Sequence, residues 1–519
     1  MKPHISKLGD LLRESGGGLL LVAIVAAPWM YGSTRHASIV ILCGLLSATV
    51  LCWGAGCVFH HRKPELSRWA IYPCFFLFMA GWLVVLAGPI LPPDPFTEDH
   101  VRVLIRRWPG SFVLKTPPET MWLFTGLLGA LLVTMDLSSN RRWWSAIYTT
   151  MALTGTSIVL LGLFQIQTGA RGILWQTDVP GTGHFFGTFF HHSLAGAFIN
   201  LVWPLSAGRL LVHLREPVPS IKRSSGMIGW SVVLLVGLCG PLAQVSRFAQ
   251  ANALILLAGV VGMWLRQRNK YRGSLSAIRP LGFVLMFAVV VTACAFWLGR
   301  LPDIRSRWAM FPTGRSHDPP QSTESFRMRP DEFIADTEPG GFFGARKIAM
   351  QTCLRMIPQA GLLGFGPGSW ATTYPHFTDD PMLRTFFLHV QFAHVDWLQT
   401  VVEWGILGAL AWGVLIVGGF RRGFRWLRTH ETGEVAQGLQ KPMVAGLLLA
   451  LCGLLLHGLI DFPLQIPSIQ LYFIVMLGLA WKSALTMQYP HKRHSNRILR
   501  HYEAIPVPAD PFLDPTHPR

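Results

Sequence analysis

The stretch AHVDWLQTVVEWGILG, residues 393–408, decides how this chain is read. It opens an apolar run that continues to residue 418, about the ~20 residues a helix needs to cross a ~30 Å hydrocarbon core. Yet His394, Asp396, Gln399 and Glu403 fall within its first turns. Ionisable and amide side chains cost free energy in lipid, so within a span they turn toward a protein interior or a wet cavity and mark function. Asp396, Gln399 and Glu403 recur at helical spacing and can line one face behind His394.

About eleven further runs of similar character lie near residues 18–34, 37–58, 69–91, 118–135, 145–167, 191–211, 227–245, 247–265, 280–299, 442–461 and 466–486. The 519 residues are 51% hydrophobic and only 14% charged. The chain therefore reads as an all-α polytopic membrane protein with about 12 transmembrane helices.

The formal charge of +18 raises the question of a nucleic-acid partner. Its distribution answers it: with the N-terminus inside, the cytoplasmic segments hold about 28 of the Lys and Arg residues and the short outer loops about 7. The cations read as topology signals, with both termini cytoplasmic, a lipid bilayer as the partner and no nucleic acid. The opening segment MKPHISKLGDLLRESGG has no clear cleavage site after its first apolar run, which reads as a retained anchor. Most of the eight cysteines lie inside spans, without a CxxC pair or a Cys/His metal spacing, so neither a disulfide framework nor zinc is expected.

Four regions follow: helices one to nine in residues 1–299, a long outer loop over 300–396, helices ten to twelve in 397–486, and a basic cytoplasmic tail over 487–519. Within the loop, residues 307–341 read as flexible insertion and GARKIAMQTCLRMIPQAGLLG, 344–364, as a helix packed on the membrane domain. VRVLIRRW, in the outer loop 92–117, reads as a short interfacial helix. LLGFGPGSW, 362–370, lacks the Gly-Lys-Ser/Thr ending of a phosphate loop and reads as a tight turn.

Polar groups cluster at the outer ends of spans: Gln165 and Gln167, Gln244, Asp461, and the four of the opening stretch. His394 has two readings, an interfacial ring at headgroup level or a general base, since an imidazole with a pKa near ~6.5 can accept a hydroxyl proton at neutral pH. Arg247, in AQVSRFAQANAL, is either an interfacial anchor or a fork for phosphate oxygens. Arg346, at the start of the loop helix, is either a solvated first-turn residue or a second such fork. Asp379 and Asp380 are the closest approach to a metal pair, though such a pair before Pro is usually a solvated turn, and His376 and His389 stand behind His394 as alternative bases.

Five segments in order, GTFFHHSLAGAFINLVWPL (187–205), QVSRFAQANAL, ARKIAMQTCLRMIPQAGLLGFGPGSWATTYPHF (345–377), AHVDWLQTVVEWGILG and HGLIDFPLQIPSIQLYFIVMLGL (457–479), resemble the O-antigen ligase family, which also holds O-antigen polymerases and protein O-oligosaccharyltransferases. The resemblance covers roughly residues 120–485. It implies a fold similar to glycosyltransferase C enzymes, with short helices in the long periplasmic loop of a bacterial inner-membrane protein. It also implies inverting transfer of a glycan from undecaprenyl diphosphate to a hydroxyl acceptor (a lipid A core sugar, a glycan or a protein) without cofactor or metal. The family's ligase signature maps to His394, Gly405 and Gly408, with Val395 departing from the Asn, Ser or Gln usual after the His. By the same resemblance His394 is the catalytic base, and Arg247 and Arg346 hold the lipid diphosphate; from their positions Asp396 is read as orienting His394, and Gln399, Glu403 and Asp461 as supporting residues. A polymerase of the same family, or a polysaccharide or lipid transporter, is the alternative.

Overall fold

A computed structural model describes residues 2–60, 63–87, 116–176, 185–215, 221–270, 342–377, 392–428 and 435–483. Its long helices are α1 Lys2–Trp29, α2 His36–Phe59, α3 Arg68–Leu86, α4 Thr116–Leu137, α5 Arg141–Gln167, α6 His192–Arg215, α7 Ile221–Ala243, α8 Arg247–Lys270, α9 Phe342–Ala360, α10 Asp396–Arg428, α11 Val435–His457 and α12 Pro467–Lys482. Among the described residues there is no strand, and ten helices are long and apolar enough to cross a membrane. The protein is an all-α polytopic membrane protein. The ninth expected span, the insertion over 307–341, VRVLIRRW, Asp379, Asp380, His389 and the basic tail lie outside the described residues.

Two helices form the middle of the bundle. Residues of α6 are almost all buried, between α5, α7, α8 and α11. All sixteen residues of α12 are buried as well, against α1, α4 and α10. A helix apolar on every side belongs inside, and α12, short of the ~20 residues of an independent span, reaches its place through the neighbours that enclose it. On the outside, α2 and α3 expose Leu51, Val58, Trp69, Phe75, Leu83 and Leu86. In water that would be a large sticky patch; in lipid it is an ordinary surface.

Small residues set the closest contact. A Cβ on Gly208 of α6 would lie 2.8 Å from the Pro442 carbonyl oxygen, and one on Gly446 of α11 would lie 3.3 Å from the Gly208 Cα. Backbones this close gain van der Waals contact that lipid cannot supply. Their approach brings the first turn of α6 beside the last turn of α11, and thereby Ser193 beside His457.

Three elements differ from the sequence expectation at their edges. The N-terminal segment before residue 18 is helical from Lys2, because Arg13 has a buried partner across the bundle: its Nε and Nη2 donate to Asp136 Oδ2 at 3.0 and 2.8 Å. Asp136 also accepts from Trp53 Nε1 at 2.8 Å and from the Glu65 amide at 2.9 Å, while Lys482 Nζ donates to Glu65 Oε2 at 3.0 Å. The loop helix ends at Ala360 rather than 364, because Gly361 and Gly364 turn with φ of 64° and 78°. α10 runs on to Arg428, its far end tied by Arg422 Nη2 to Ser67 Oγ at 3.0 Å.

Candidate active site

The segment between α8 and α10 supplies a roof with its own small core: Cys353, Met356 and Ala360 of α9, Phe365, Trp370 and Tyr374 of the following segment, and Ala393 and Val402. The glycine-rich stretch 361–366 fastens it. α10 breaks at Gly405, whose φ of 67° and ψ of −179° interrupt the helical ladder. The freed groups are taken by the stretch: the Phe365 amide donates to Val402 O at 3.1 Å, Gly366 to Glu403 O at 2.9 Å, and the Leu407 amide to Leu362 O at 3.1 Å. A Cβ on Gly405 would collide with the Leu362 carbonyl, and one on Gly364 with the Glu403 carbonyl. Gly405 is thus required by both its left-handed φ and the backbone lying against it. At Gly408 a Cβ would press on the Trp404 Cβ at 2.7 Å.

The four polar residues of the opening stretch divide into three ties and one reactive candidate. Gln399 Oε1 accepts from the Ala393 amide at 2.9 Å, holding the backbone just before His394, and its Nε2 donates to Glu403 Oε1 at 2.9 Å. Glu403 also accepts from the Trp370 amide at 3.3 Å and so anchors the roof. Asp396 is fully buried: Oδ1 accepts from Gln465 Nε2 at 3.0 Å, Oδ2 from the Leu464 amide at 2.9 Å, and its own amide donates to Gly458 O at 3.0 Å. It fastens the α11–α12 turn to α10.

His394 stands in the left-handed region, φ 54°, two residues before the start of α10. The imidazole packs edge-on against Phe462, ring centroids 4.6 Å apart, and its Nδ1 lies 3.4 Å from Asp461 Oδ1, close enough for an ion pair but without hydrogen-bond alignment. The His394 side chain is 28% exposed and that of Asp461 2%, so one nitrogen faces a buried carboxylate on a ring that still reaches the surface. Asp461 is held from three sides. Its Oδ1 accepts from the Phe462 amide at 3.0 Å, Ser193 Oγ donates to Oδ2, and His457 Nε2 lies 3.7 Å from Oδ2 and 3.3 Å from Ser193 Oγ. His457 is fully buried and meets the Phe248 ring edge-on at 4.9 Å.

Arg247 enters through that last contact, because Phe248 follows it in the first turn of α8. The α7–α8 hairpin is tight: Gln250 Nε2 donates to Gln244 O at 2.7 Å, and Gln244 packs where a Cβ on Gly196 would collide with its amide oxygen. Arg346 lies in the first turns of α9, which packs against α10. The side-chain amides of Gln165 and Gln244 are buried and make no hydrogen bond among the described residues. Cys353 is no competing nucleophile, since burial pushes its thiol up to about 12.

The structure brings His394, Asp461 and the first turn of α8 together and points Asp396, Gln399 and Glu403 elsewhere. Ser193 and His457 complete the cluster without having been singled out in the sequence. One signal was there: His457 and Asp461, four residues apart in HGLIDFP, read as two polar groups on one side of a chain that is otherwise apolar. Such a cluster can move a proton, with a buried carboxylate set against Nδ1 of the imidazole.

Residues 232–413 match the family model described as O-antigen ligase. The match contains Arg247, Arg346, His394, Gly405 and Gly408, and leaves Ser193, His457 and Asp461 beyond its limits. No curated protein matches the chain.

Proposed function

We propose that the chain, whose residues 232–413 match the O-antigen ligase family model, is a member of that family and transfers a glycan from undecaprenyl diphosphate to an acceptor hydroxyl on the periplasmic face of the inner membrane. The observation that carries this reading is the imidazole of His394, partly exposed where a helix enters the bundle, with Nδ1 against buried Asp461. A lipid-linked donor keeps its tail in the bilayer and its anomeric carbon at the surface, so reacting groups belong at such a place.

The chemistry follows from the geometry. Asp461 favours the tautomer with the proton on Nδ1, which leaves Nε2 to accept the proton of the acceptor hydroxyl. The hydroxyl oxygen forms a bond to the anomeric carbon as the bond to the diphosphate oxygen breaks on the opposite face, inverting the centre. The diphosphate leaves with the bonding electron pair. Arg247 and Arg346 balance its charge, and guanidinium groups suit the task because their planar fork meets phosphate oxygens two at a time. The acceptor is a foreign molecule for a ligase, or another carrier-linked repeat for a polymerase.

The test is transfer by purified His394→Ala protein in lipid. Loss of a general base lowers the rate ~10²- to 10⁴-fold, with unchanged insertion and melting. Near-normal transfer by a well-folded variant would overturn the assignment. Transfer should also persist in EDTA and fall ~10²- to 10³-fold in Arg247→Ala or Arg346→Ala. Glycans on a strain lacking the protein separate the two acceptors: polymer stranded on carrier lipid marks a ligase, single repeats a polymerase.

A further inference from the structure

Tyr31, Gly32 and Ser33 follow one another in the left-handed region, with φ of 56°, 63° and 58°. Leu174 and Trp175, in the loop after α5, share it at 53° and 60°. With His394 these are the non-glycine residues at positive φ among the described residues, and all lie at the end of the bundle that carries the site. Each costs roughly 1–2 kcal/mol, and such strain persists only where surrounding contacts over-determine it.

Those contacts are present. Ser33 Oγ donates to Ala27 O at 2.9 Å, Thr188 Oγ1 to Pro28 O at 2.6 Å, and Tyr31 Oη to Gln176 Oε1 at 2.7 Å. Together they hold the loop after α1 against the loop before α6. The result is an aromatic floor: Tyr31 and Phe190 lie 21° from parallel with centroids 5.7 Å apart. The Arg35 guanidinium lies 3.8 Å from the Tyr31 centroid and 5.6 Å from that of Phe190. Arg35, His191 and Gln176 are exposed, and both floor rings are partly so. From Phe190 the chain runs through the stacked rings of His191 and His192, 4.4 Å apart, directly to Ser193 and so to Asp461.

We propose that this floor is a saccharide subsite, taking one pyranose ring of the transferred glycan or of its acceptor; it rests on the glycan-transfer reading above. The C–H face of a pyranose meets the electron-rich face of an aromatic ring. With the guanidinium over Tyr31, that ring face is the one of Phe190, and the pyranose hydroxyls meet the guanidinium donors beside it and the Gln176 amide at the rim. A residue serving only to anchor the bundle at the membrane surface needs an apolar body and a polar tip. It needs neither a guanidinium over its face nor consecutive left-handed residues beneath it.

The test uses the full chain in lipid nanodiscs, with carrier-linked glycan extracted from producing cells as donor and membranes of a strain lacking the protein as acceptor. Arg35→Ala and Phe190→Leu are expected to raise KM for one substrate ~10-fold, the scale of one stacking contact with its hydrogen bonds, with kcat held within about threefold. The substrate whose KM moves is the one seated on the floor. Saturation-transfer NMR with glycan released from the carrier by mild acid gives a second readout that needs no turnover, on His394→Ala protein. Its signals, or those of the equally treated acceptor fraction, should fade in Arg35→Ala. If both KM values and the NMR signals are unchanged in variants that melt like the parent, the floor is a membrane-interface anchor only and the subsite is wrong. Active His394→Ala protein with altered KM in the floor variants would sink the base assignment and leave the subsite standing.

Discussion

The two ends of the bundle each bury an aspartate, and the two are treated differently. Asp136 takes a two-pronged bond from Arg13, an indole N–H from Trp53 and the backbone amide of Glu65. Its charge is matched by a cation aligned to hydrogen-bond it. Asp461 receives a hydroxyl, a backbone amide and two imidazoles, one of them His394 at 3.4 Å without hydrogen-bond alignment. The first arrangement is what stability asks of a buried charge. The second sets a buried carboxylate against the ring of a partly exposed histidine, as sites built for chemistry do.

The sharpest way to break this comparison is to remove each carboxylate. Asp461→Asn should lower the transfer rate ~10²-fold or more, since the tautomer of His394 loses its guide, while the melting temperature in detergent moves little. A large drop in melting with normal rate per folded molecule would make Asp461 a structural residue like Asp136. Asp136→Ala should do the reverse. It leaves Arg13 facing a gap and is expected to destabilise by about 3 kcal/mol, read as early unfolding in a thermal scan, with transfer per folded molecule preserved.

Asp396→Ala refines the contrast within one end. Its loss frees the Leu464 amide and the Gln465 side chain, at a cost of about 1–3 kcal/mol for the bonds left unmade, and the turn that carries Asp461 loosens. Limited proteolysis should cut within 458–466 in this variant before the parent is touched; equal resistance would show that the turn is held without it. The smallest effect belongs to Cys353. With the thiol pushed up to about 12, the thiolate that reacts with iodoacetamide is scarce at pH 8 and grows only as the pH rises toward that value. Native protein should label far more slowly at Cys353 than unfolded protein, and Cys353→Ala should transfer normally.

Much of this was readable in advance, for identifiable reasons. Spans are legible because length and hydropathy suffice, and described helices answer ten of the twelve expected runs as candidate spans and an eleventh as buried α12. The stretch 393–408 stood out because polar residues in an apolar run are costly. Which residue does what was not. Helical spacing puts Asp396 next to His394, but the left-handed backbone at His394 turns its ring to Asp461, which comes from a distant turn. The glycine spacing of 405 and 408 was visible as a pattern. Its cause, a broken helix with the 361–366 backbone docked in the gap, needs the tertiary structure. Ser193 looked like an ordinary residue at the start of a span because its partner lies at the far end of the sequence.

The central claim is that His394 and Asp461 work as one unit. A double-mutant cycle on the transfer rate tests it directly, using His394→Ala, Asp461→Asn and the pair together. Residues that act through one another are not additive, so the double variant should be no slower than His394→Ala alone, within about threefold. If the two losses instead multiply, each residue acts independently and the pairing seen between them has no part in the reaction.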